Sequence, residues 1–370
     1  MISTRCGAAL LALLFWGFAA VSPAHAGASI VIDVGSGKVL SHDNAFQRWY
    51  PASLTKLMTA YVAFRAVKAG ELQFDSPVRI SAQAAKEPPS KMGYPVGSVL
   101  TLDNALKILM VKSANDVATS VAEAVGGSVR GFAVRMNAMA RELGMTGSHF
   151  VNAHGLFSAE QYTTARDLAV LVRALRTEFP QHAHYFSLEA IQTGEKIMPN
   201  YNWLIGRFEG ADGMKTGYIC SSGFNLASTA TRNGRTLAAI VLGASSQVVR
   251  GEESARLLAK GFQTQGFAAP QLDSLTPYGE NRNVVVDLRP QICSQEAVAK
   301  RVEERDDEGR LIVRSPYIRP MAHDPRPVVI TLGGATGPES NAPRYANVPI
   351  PTPRPDRSPD GAVMVTGQGG

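Results

Sequence analysis

The sequence predicts an α+β protein in which the two ends of one main domain share a sheet and the chain between them forms a mainly helical lobe. Three observations carry this. Residues 28–40 read as a strand, a Gly-Ser-Gly turn and a second strand. From Pro51 to Arg176 apolar residues recur at helical spacing in a succession of segments. After residue 210 the period returns to two, with Asn233-Gly234 between two apolar runs, a strong hairpin signal.

Each element has its own reason. Ser29 to Val34 and Lys38 to Leu40 are the opening strands. A helix follows Pro51 and runs to about Ala69, where Gly70 closes it; Leu54, Leu57, Met58, Tyr61 and Val62 give it a buried stripe. Residues 77–100 are broken by Pro88-Pro89 and Gly93. Thr101 caps a helix through Met110, and a break at Lys112-Ser113 leads to a second helix, Asp116 to Ala124. Ser128 to Leu143 and Thr164 to Arg176 are two more. Met214 to Tyr218 suits a strand, Phe224 to Gly243 a hairpin, and Glu252 to Phe262 an amphipathic helix.

At 370 residues, 45% apolar and 18% charged, the chain holds one large domain with material for a core plus a smaller module. The net charge of +6 fits an anionic polymer or surface nearby, but no basic run interleaves with aromatics, so no nucleic acid is expected as a partner. Residues 1–26 read as a secretory signal: Arg5, an apolar stretch Ala8 to Val21, then Ala24-His25-Ala26. That stretch is short of the roughly 20 residues a membrane span needs. The mature chain is therefore expected to be exported, without a transmembrane anchor. Residues 27–269 form the expected catalytic domain, 270–332 a small, partly β segment with strand-like Val284 to Val286 and Leu311 to Val313, and 333–370 a disordered Pro/Gly-rich tail. Outside the leader only Cys220 and Cys293 remain. They either pair in an oxidising compartment, tying the segment after residue 270 to the main domain, or stay two separate buried thiols; pairing is the hypothesis adopted.

The chemistry gathers at Pro51-Ala52-Ser53-Leu54-Thr55-Lys56. Positions i and i+3 share a helix face, so Ser53 and Lys56 can meet. A hydroxyl needs a nearby base to attack at neutral pH, and a lysine can be that base if burial or neighbouring cations lower its pKa. Alone, the pair is a weak signal, because most such spacings are exposed helix neighbours. Two further motifs change the weighting. Ser113-Ala114-Asn115 lies at the break between two helices, and Lys215-Thr216-Gly217 lies on a strand-like segment. A random Lys-Thr-Gly is expected about 0.1 times in this length, so the ordered set is not explained by a capping serine and a bulge glycine.

With these motifs, and with Asn152-Ala153-His154-Gly155-Leu156, Thr164 to Ala169, Asp212 to Gly217 and Gly223-Phe224-Asn225-Leu226, the chain resembles the low-molecular-mass penicillin-binding proteins, specifically the serine D-Ala-D-Ala carboxypeptidases, from about Ala28 to Phe267. The resemblance implies a β-lactamase/transpeptidase-like fold with an antiparallel sheet flanked by helices. It implies that Ser53 attacks the penultimate D-Ala carbonyl, Lys56 takes its proton and Ser113 relays a proton to the leaving amine. Asn115 would hold the substrate amide and fix Lys56. Lys215 and Thr216 would receive the terminal carboxylate, Gly217 would let the substrate lie along the strand, and the N–H groups of Ser53 and Tyr218 would form the oxyanion hole. Implied partners are peptidoglycan stem peptides and covalently bound β-lactams; the implied location is the periplasm, soluble or loosely associated with wall or membrane. No cofactor is expected, and His149/His154 and His182/His184 do not complete a metal set.

Two departures stand out. Tyr218 follows Lys-Thr-Gly where many relatives have His, and Tyr201 stands between Asn200 and Asn202 where many have Arg. Arg250 is a further carboxylate candidate, although a structural ion pair is the expected reading for it; His154 and Asp167 are also read as structural. A D,D-endopeptidase uses the same residues. A β-lactamase fits less well, because Ala114 stands where class A enzymes carry Asp. A pseudoenzyme that binds wall peptides or penicillin would not need Ser53, Lys56 and Lys215.

Overall fold

The computed structural model describes residues 27–341. The leader expected at 1–26 lies outside them, as does the tail from 342 onward. In chain order the elements are β1 (Ala28–Asp33), β2 (Val39–Asp43), α1 (Thr55–Lys68), β3 (Pro77–Arg79), α2 (Ala82–Ala85), β4 (Val99–Thr101), α3 (Leu102–Val111), α4 (Asn115–Gly126), α5 (Val129–Glu142), α6 (Ala165–Glu178), β5 (Ala190–Thr193), β6 (Lys196–Pro199), β7 (Ala211–Ile219), β8 (Gly223–Arg232), β9 (Arg235–Ala244), α7 (Gln247–Gln263), α8 (Arg289–Ile292), α9 (Gln295–Val302) and β10 (Pro327–Val329).

The main sheet runs β2-β1-β9-β8-β7 and is antiparallel at every step. Both of its faces are covered. Ile30, Ile32, Ala238, Ile240 and Leu242 turn toward the core shared with α1 and α6. Their neighbours Val31, Leu237, Ala239 and Val241 turn the other way, toward Ala255 and Leu258 of α7. Alternate side chains of a strand point to opposite faces, so a strand apolar at every position is one buried on both sides.

Helix α1 is enclosed on all sides over its first ten residues, Thr55 to Phe64. Each fully buried Leu, Met or Phe side chain contributes about 1.5–3 kcal/mol. The stripe read from the sequence thus extends right round the helix, and its N-terminal end is held by packing in every direction. Side-chain caps start the helices of the second lobe: Thr101 for α3, Ser128 for α5 and Thr164 for α6.

The segment after residue 270 is a strap. The expected strands at 284–286 and 311–313 do not form; Val286 makes a single bridge to Trp49, and Leu311 one to Arg305. Besides local turns and two short helices, backbone groups here bond to the main domain: Val39 N–H to Pro270 O, Arg48 N–H to Arg282 O, Leu288 N–H to Ser221 O and Arg319 N–H to Arg207 O. The one regular strand, β10, pairs parallel with β5. The strap carries few buried apolar anchors, among them Leu272, Ile292 and Ile330, too few for a core of its own. Cys220 and Cys293 are joined, closing a 73-residue separation. The first residues of the expected tail also dock: Gly333 N–H bonds to Val99 O, and Thr336 and Gly337 N–H to Asp75 O.

Candidate active site

Ser53 sits in a 3₁₀ turn, Ala52–Leu54, that runs into α1. Three neighbours hold that turn. Asn225 of β8 donates to Tyr50 O at 3.1 Å and accepts from Gly243 N–H at 2.9 Å. Gly217 of β7 lies so close that a Cβ there would stand 3.1 Å from Ser53 N. On the other side, Gly155 has φ +91°, and a Cβ on it would fall on the Ala52 carbonyl. Thr59 Oγ1 donates to Ala153 O at 2.7 Å, pinning the loop that carries Gly155 to α1.

The Lys56 amine is fully buried beneath this turn. Its Nζ lies 3.0 Å from Ser53 Oγ, 2.9 Å from Asn115 Oδ1 and 2.7 Å from His154 O. Two of the three contacts are carbonyl oxygens, which only accept. A neutral amine has two N–H donors and one lone pair; in that form, with both donors on the carbonyls, the lone pair would face Ser53 O–H. Burial drives the Lys56 pKa well below the usual lysine range, and Lys215 lowers it further, against a smaller upward pull from Glu87 and Asp116. Lys215 thus disfavours the charged form of the Lys56 amine. Lys215 is itself buried and brought down to about 7 by burial and then by Arg250.

Ser113 takes a left-handed backbone, φ 60°, at the joint between α3 and α4, and its buried Oγ has no hydrogen-bond partner among the described residues. Asn115 is committed twice: Oδ1 to Lys56, and Nδ2 to Pro88 O at 2.9 Å. Ser53, Ser113, Asn115, Thr216, Gly217 and Tyr218 all line one open cleft of about 520 Å³. Lys56 and Lys215 lie behind its wall. β7 is an end strand of the main sheet, so its free edge faces the cleft.

Arg250 corrects the sequence reading. It forms no ion pair among the described residues. Its guanidinium is buried in the cleft wall, with Nη1 3.5 Å from Gly217 O and Nη2 3.4 Å from Tyr201 O, and Nε unpartnered. Burial lowers it to about 9, which leaves it charged at neutral pH. A buried cation without a counter-ion, opening on a cleft, is suited to an incoming anion. Tyr201 projects into the same cleft from a turn built by Asn200 and Asn202, and its hydroxyl accepts from Lys112 Nζ at 3.0 Å. Tyr218 stacks near Phe224, with ring centroids 4.3 Å apart, and its hydroxyl is 3.4 Å from Cys293 Sγ.

Asp167 is structural, as expected: its carboxylate accepts from Gly147 N–H and Ser148 Oγ at 2.8 Å each. His154 is more than structural, because its carbonyl is one of the acceptors that orient Lys56. Main-chain acceptors carry no side-chain signature, so only its place beside Gly155 hinted at this. Glu87, 3.4 Å from the His154 ring, was not singled out by any motif.

A serine and a buried lysine under an end strand of an antiparallel sheet, with a helical lobe opposite, define a protein of the penicillin-binding, transpeptidase-like fold. The chain belongs to the D-alanyl-D-alanine carboxypeptidase family, peptidase S11, whose family model matches residues 18–246. It is 36% identical over 241 residues to D-alanyl-D-alanine carboxypeptidase DacC of Escherichia coli K12, covering 63% of this chain and 60% of that protein. It is 35% identical over 246 residues to DacD of the same organism, covering 65% and 63%. The match thus spans less than two thirds of these relatives' length. Penicillin binding protein 6B from Escherichia coli superposes with a TM-score of 0.62 at 35% identity, over 65% of this chain and 78% of that one. Penicillin binding protein 5 from Haemophilus influenzae gives 0.62 at 31% identity, over 65% and 72%.

Proposed function

We propose that this protein is a serine D,D-carboxypeptidase that removes the terminal D-Ala from peptidoglycan pentapeptides, and that β-lactams acylate the same serine. The observation that carries the reading is the Lys56 amine, buried, low in pKa and 3.0 Å from Ser53 Oγ with its remaining contacts taken by acceptors. Lys56 Nζ takes the Ser53 proton as Oγ bonds to the penultimate carbonyl carbon. The negative charge on the carbonyl oxygen falls to the N–H groups of Ser53 and Tyr218. As the C–N bond breaks, Ser113, whose hydroxyl has no other partner among the described residues, gives its proton to the leaving D-Ala nitrogen and takes up the one held by Lys56, while Asn115 fixes Lys56 and faces the substrate amide. Water then attacks the acyl-enzyme and returns the proton to Oγ.

The substrate backbone runs along β7, where Gly217 leaves room for it. Its terminal carboxylate is received by Thr216, Lys215 and Arg250. Arg250 takes over the part of an arginine where Tyr201 now stands, which is why an unpaired guanidinium is buried there. The carboxylate raises the Lys215 pKa on binding and so keeps that amine charged. Catalysis takes place outside the inner membrane, in the periplasm, after removal of the leader; among the described residues no helix is long and apolar enough to cross a membrane.

The test is release of D-Ala from a purified pentapeptide, with Ser53→Ala as control. Release that depends on Ser53 supports the reading. Cleavage of cross-linked muropeptides with no release from pentapeptide would make the protein a D,D-endopeptidase instead, and binding with neither reaction would make it a pseudoenzyme.

A further inference from the structure

We propose that Glu87 is a positioning residue of the Ser53–Lys56 centre, acting through the ring of His154 and through its own charge. The proposal rests on the acyl-transfer reading above. Lys56 is oriented by two acceptors, Asn115 Oδ1 and His154 O. Both are braced by one short segment, residues 87–90. Pro88 O accepts from Asn115 Nδ2 at 2.9 Å, and Ser90 O accepts from Asn115 N–H at 2.7 Å. Glu87 Oε1 lies 3.4 Å from His154 Nε2 and accepts from Thr119 Oγ1 at 2.8 Å.

The tautomer of His154 follows from its other nitrogen. Nδ1 accepts the Leu156 N–H at 3.1 Å, so the ring proton sits on Nε2 and points at the Glu87 carboxylate. Burial lowers the His154 pKa below the usual histidine value, against the opposing hydrogen bond with Glu87. Burial also pushes the Glu87 carboxyl up, but its hydrogen bonds from His154 and Thr119, and the charge that His154 and Lys56 carry when protonated, bring it below the usual carboxylate range. The result is a chain of contacts from Thr119 to Glu87 to the His154 ring, and from the His154 main-chain carbonyl to Lys56. Glu87 does not line the cleft, so it does not touch the substrate; it also borders a separate surface cavity with Ala82, Gln83 and Lys86.

Glu87 has a second, electrostatic effect. Three charged groups act on the Lys56 amine: Lys215 from β7 disfavours its charged form, while Glu87 and Asp116 from α4 favour it. The Asp116 carboxylate is already committed to the N–H groups of Met92 and Gly93. Glu123, further along α4, also feels Glu87. Removing the Glu87 charge therefore leaves Lys215 less opposed, and Lys56 deprotonates at lower pH.

Two substitutions separate the roles. Glu87→Gln keeps an oxygen that accepts from His154 and Thr119 but loses the charge. Glu87→Ala loses both. The readout is acylation of the full chain by benzylpenicillin between about pH 5 and about pH 9, with Ser53→Ala as control and the melting temperature recorded for each variant. In Glu87→Gln the plateau rate stays within about twofold, and the acidic limb moves down by about half a pH unit or more. In Glu87→Ala the plateau falls about tenfold, as a loosened base is less often aligned. An acidic limb that does not move in Glu87→Gln, or a plateau in Glu87→Ala equal to that of the unaltered protein, overturns the proposal. An unaltered protein that is not acylated at Ser53 sinks both this proposal and the parent reading. Normal acylation with indifferent Glu87 variants sinks this one alone.

Discussion

At the scale of single residues, the protein places two lysines where lysines are seldom found. Lys56 and Lys215 are both fully buried with no carboxylate in ion-pair contact among the described residues, and both are held below the usual pKa. For Lys56 this suits the base role proposed for it, and Lys56→Ala is expected to slow acylation by at least about 10²-fold, read as the rate of covalent penicillin labelling. For Lys215 it has a consequence for stability. The unfolded lysine titrates near 10.5 and the folded one near 7. Between those values the unfolded chain binds the extra proton, so stability is lost as pH falls toward 7 and gained as it rises. Replacing the amine with a neutral side chain, Lys215→Met, should flatten the rise in melting temperature between about pH 7 and about pH 9.5. An equal slope in both proteins would show that Lys215 keeps its proton in the fold. Ser53, Lys56, Ser113, Asn115, Lys215, Thr216 and Gly217 could be singled out because three motifs, each weak or bland alone, occur in one order that resembles a known family. The His154 carbonyl and the Glu87 carboxylate were not, because one is main chain and the other belongs to no motif.

At the scale of elements, the turn before α1 depends on how closely two other backbones approach it. Gly155 is the tightest of these contacts, and its positive φ adds a second demand. Gly155→Ala should cost about 2–4 kcal/mol in urea unfolding and abolish penicillin labelling, because the Ala52 carbonyl must move and Ser53 moves with it. A variant of normal stability and reactivity would mean that the loop carrying Gly155 is not a fixed part of the site. Helices α1 and α3 to α7 and the β8–β9 hairpin were predictable from period and caps, and the observed bounds differ by a few residues, most at α7, which starts at Gln247; α2, α8 and α9 were missed. The short strands β3, β4, β5 and β6 were missed. Each has only three or four residues, too few for an alternation to register.

Across the whole molecule, the strap after residue 270 shows what periodicity does not reveal. It passes the main sheet, one end of the cleft, α7 and the β5–β6 pair, stabilised by scattered backbone bonds and one covalent tie. In the chain-entropy account, closing a 73-residue loop is worth about 4 kcal/mol at most. Cys293→Ser should therefore lower the stability to urea by about 2–4 kcal/mol and leave the fold of residues 28–263 in place. It should also free the neighbourhood of Tyr218, whose hydroxyl meets Cys293, so penicillin labelling should weaken less than stability does. No change in either measurement would show that the strap is held without the disulfide.

The sequence alone determined the class of fold, the family resemblance and the candidate reacting groups, because hydrophobic period and residue chemistry are local properties. Tertiary structure decided the rest. It left Arg250 in the cleft wall without an ion-pair partner among the described residues, set two carbonyl acceptors and the Ser53 hydroxyl round the Lys56 amine, and laid the C-terminal segment round the domain instead of folding it separately. Those outcomes depend on which distant groups share a small buried volume, and on which charges there find no partner, and neither is written in the spacing of residues along the chain.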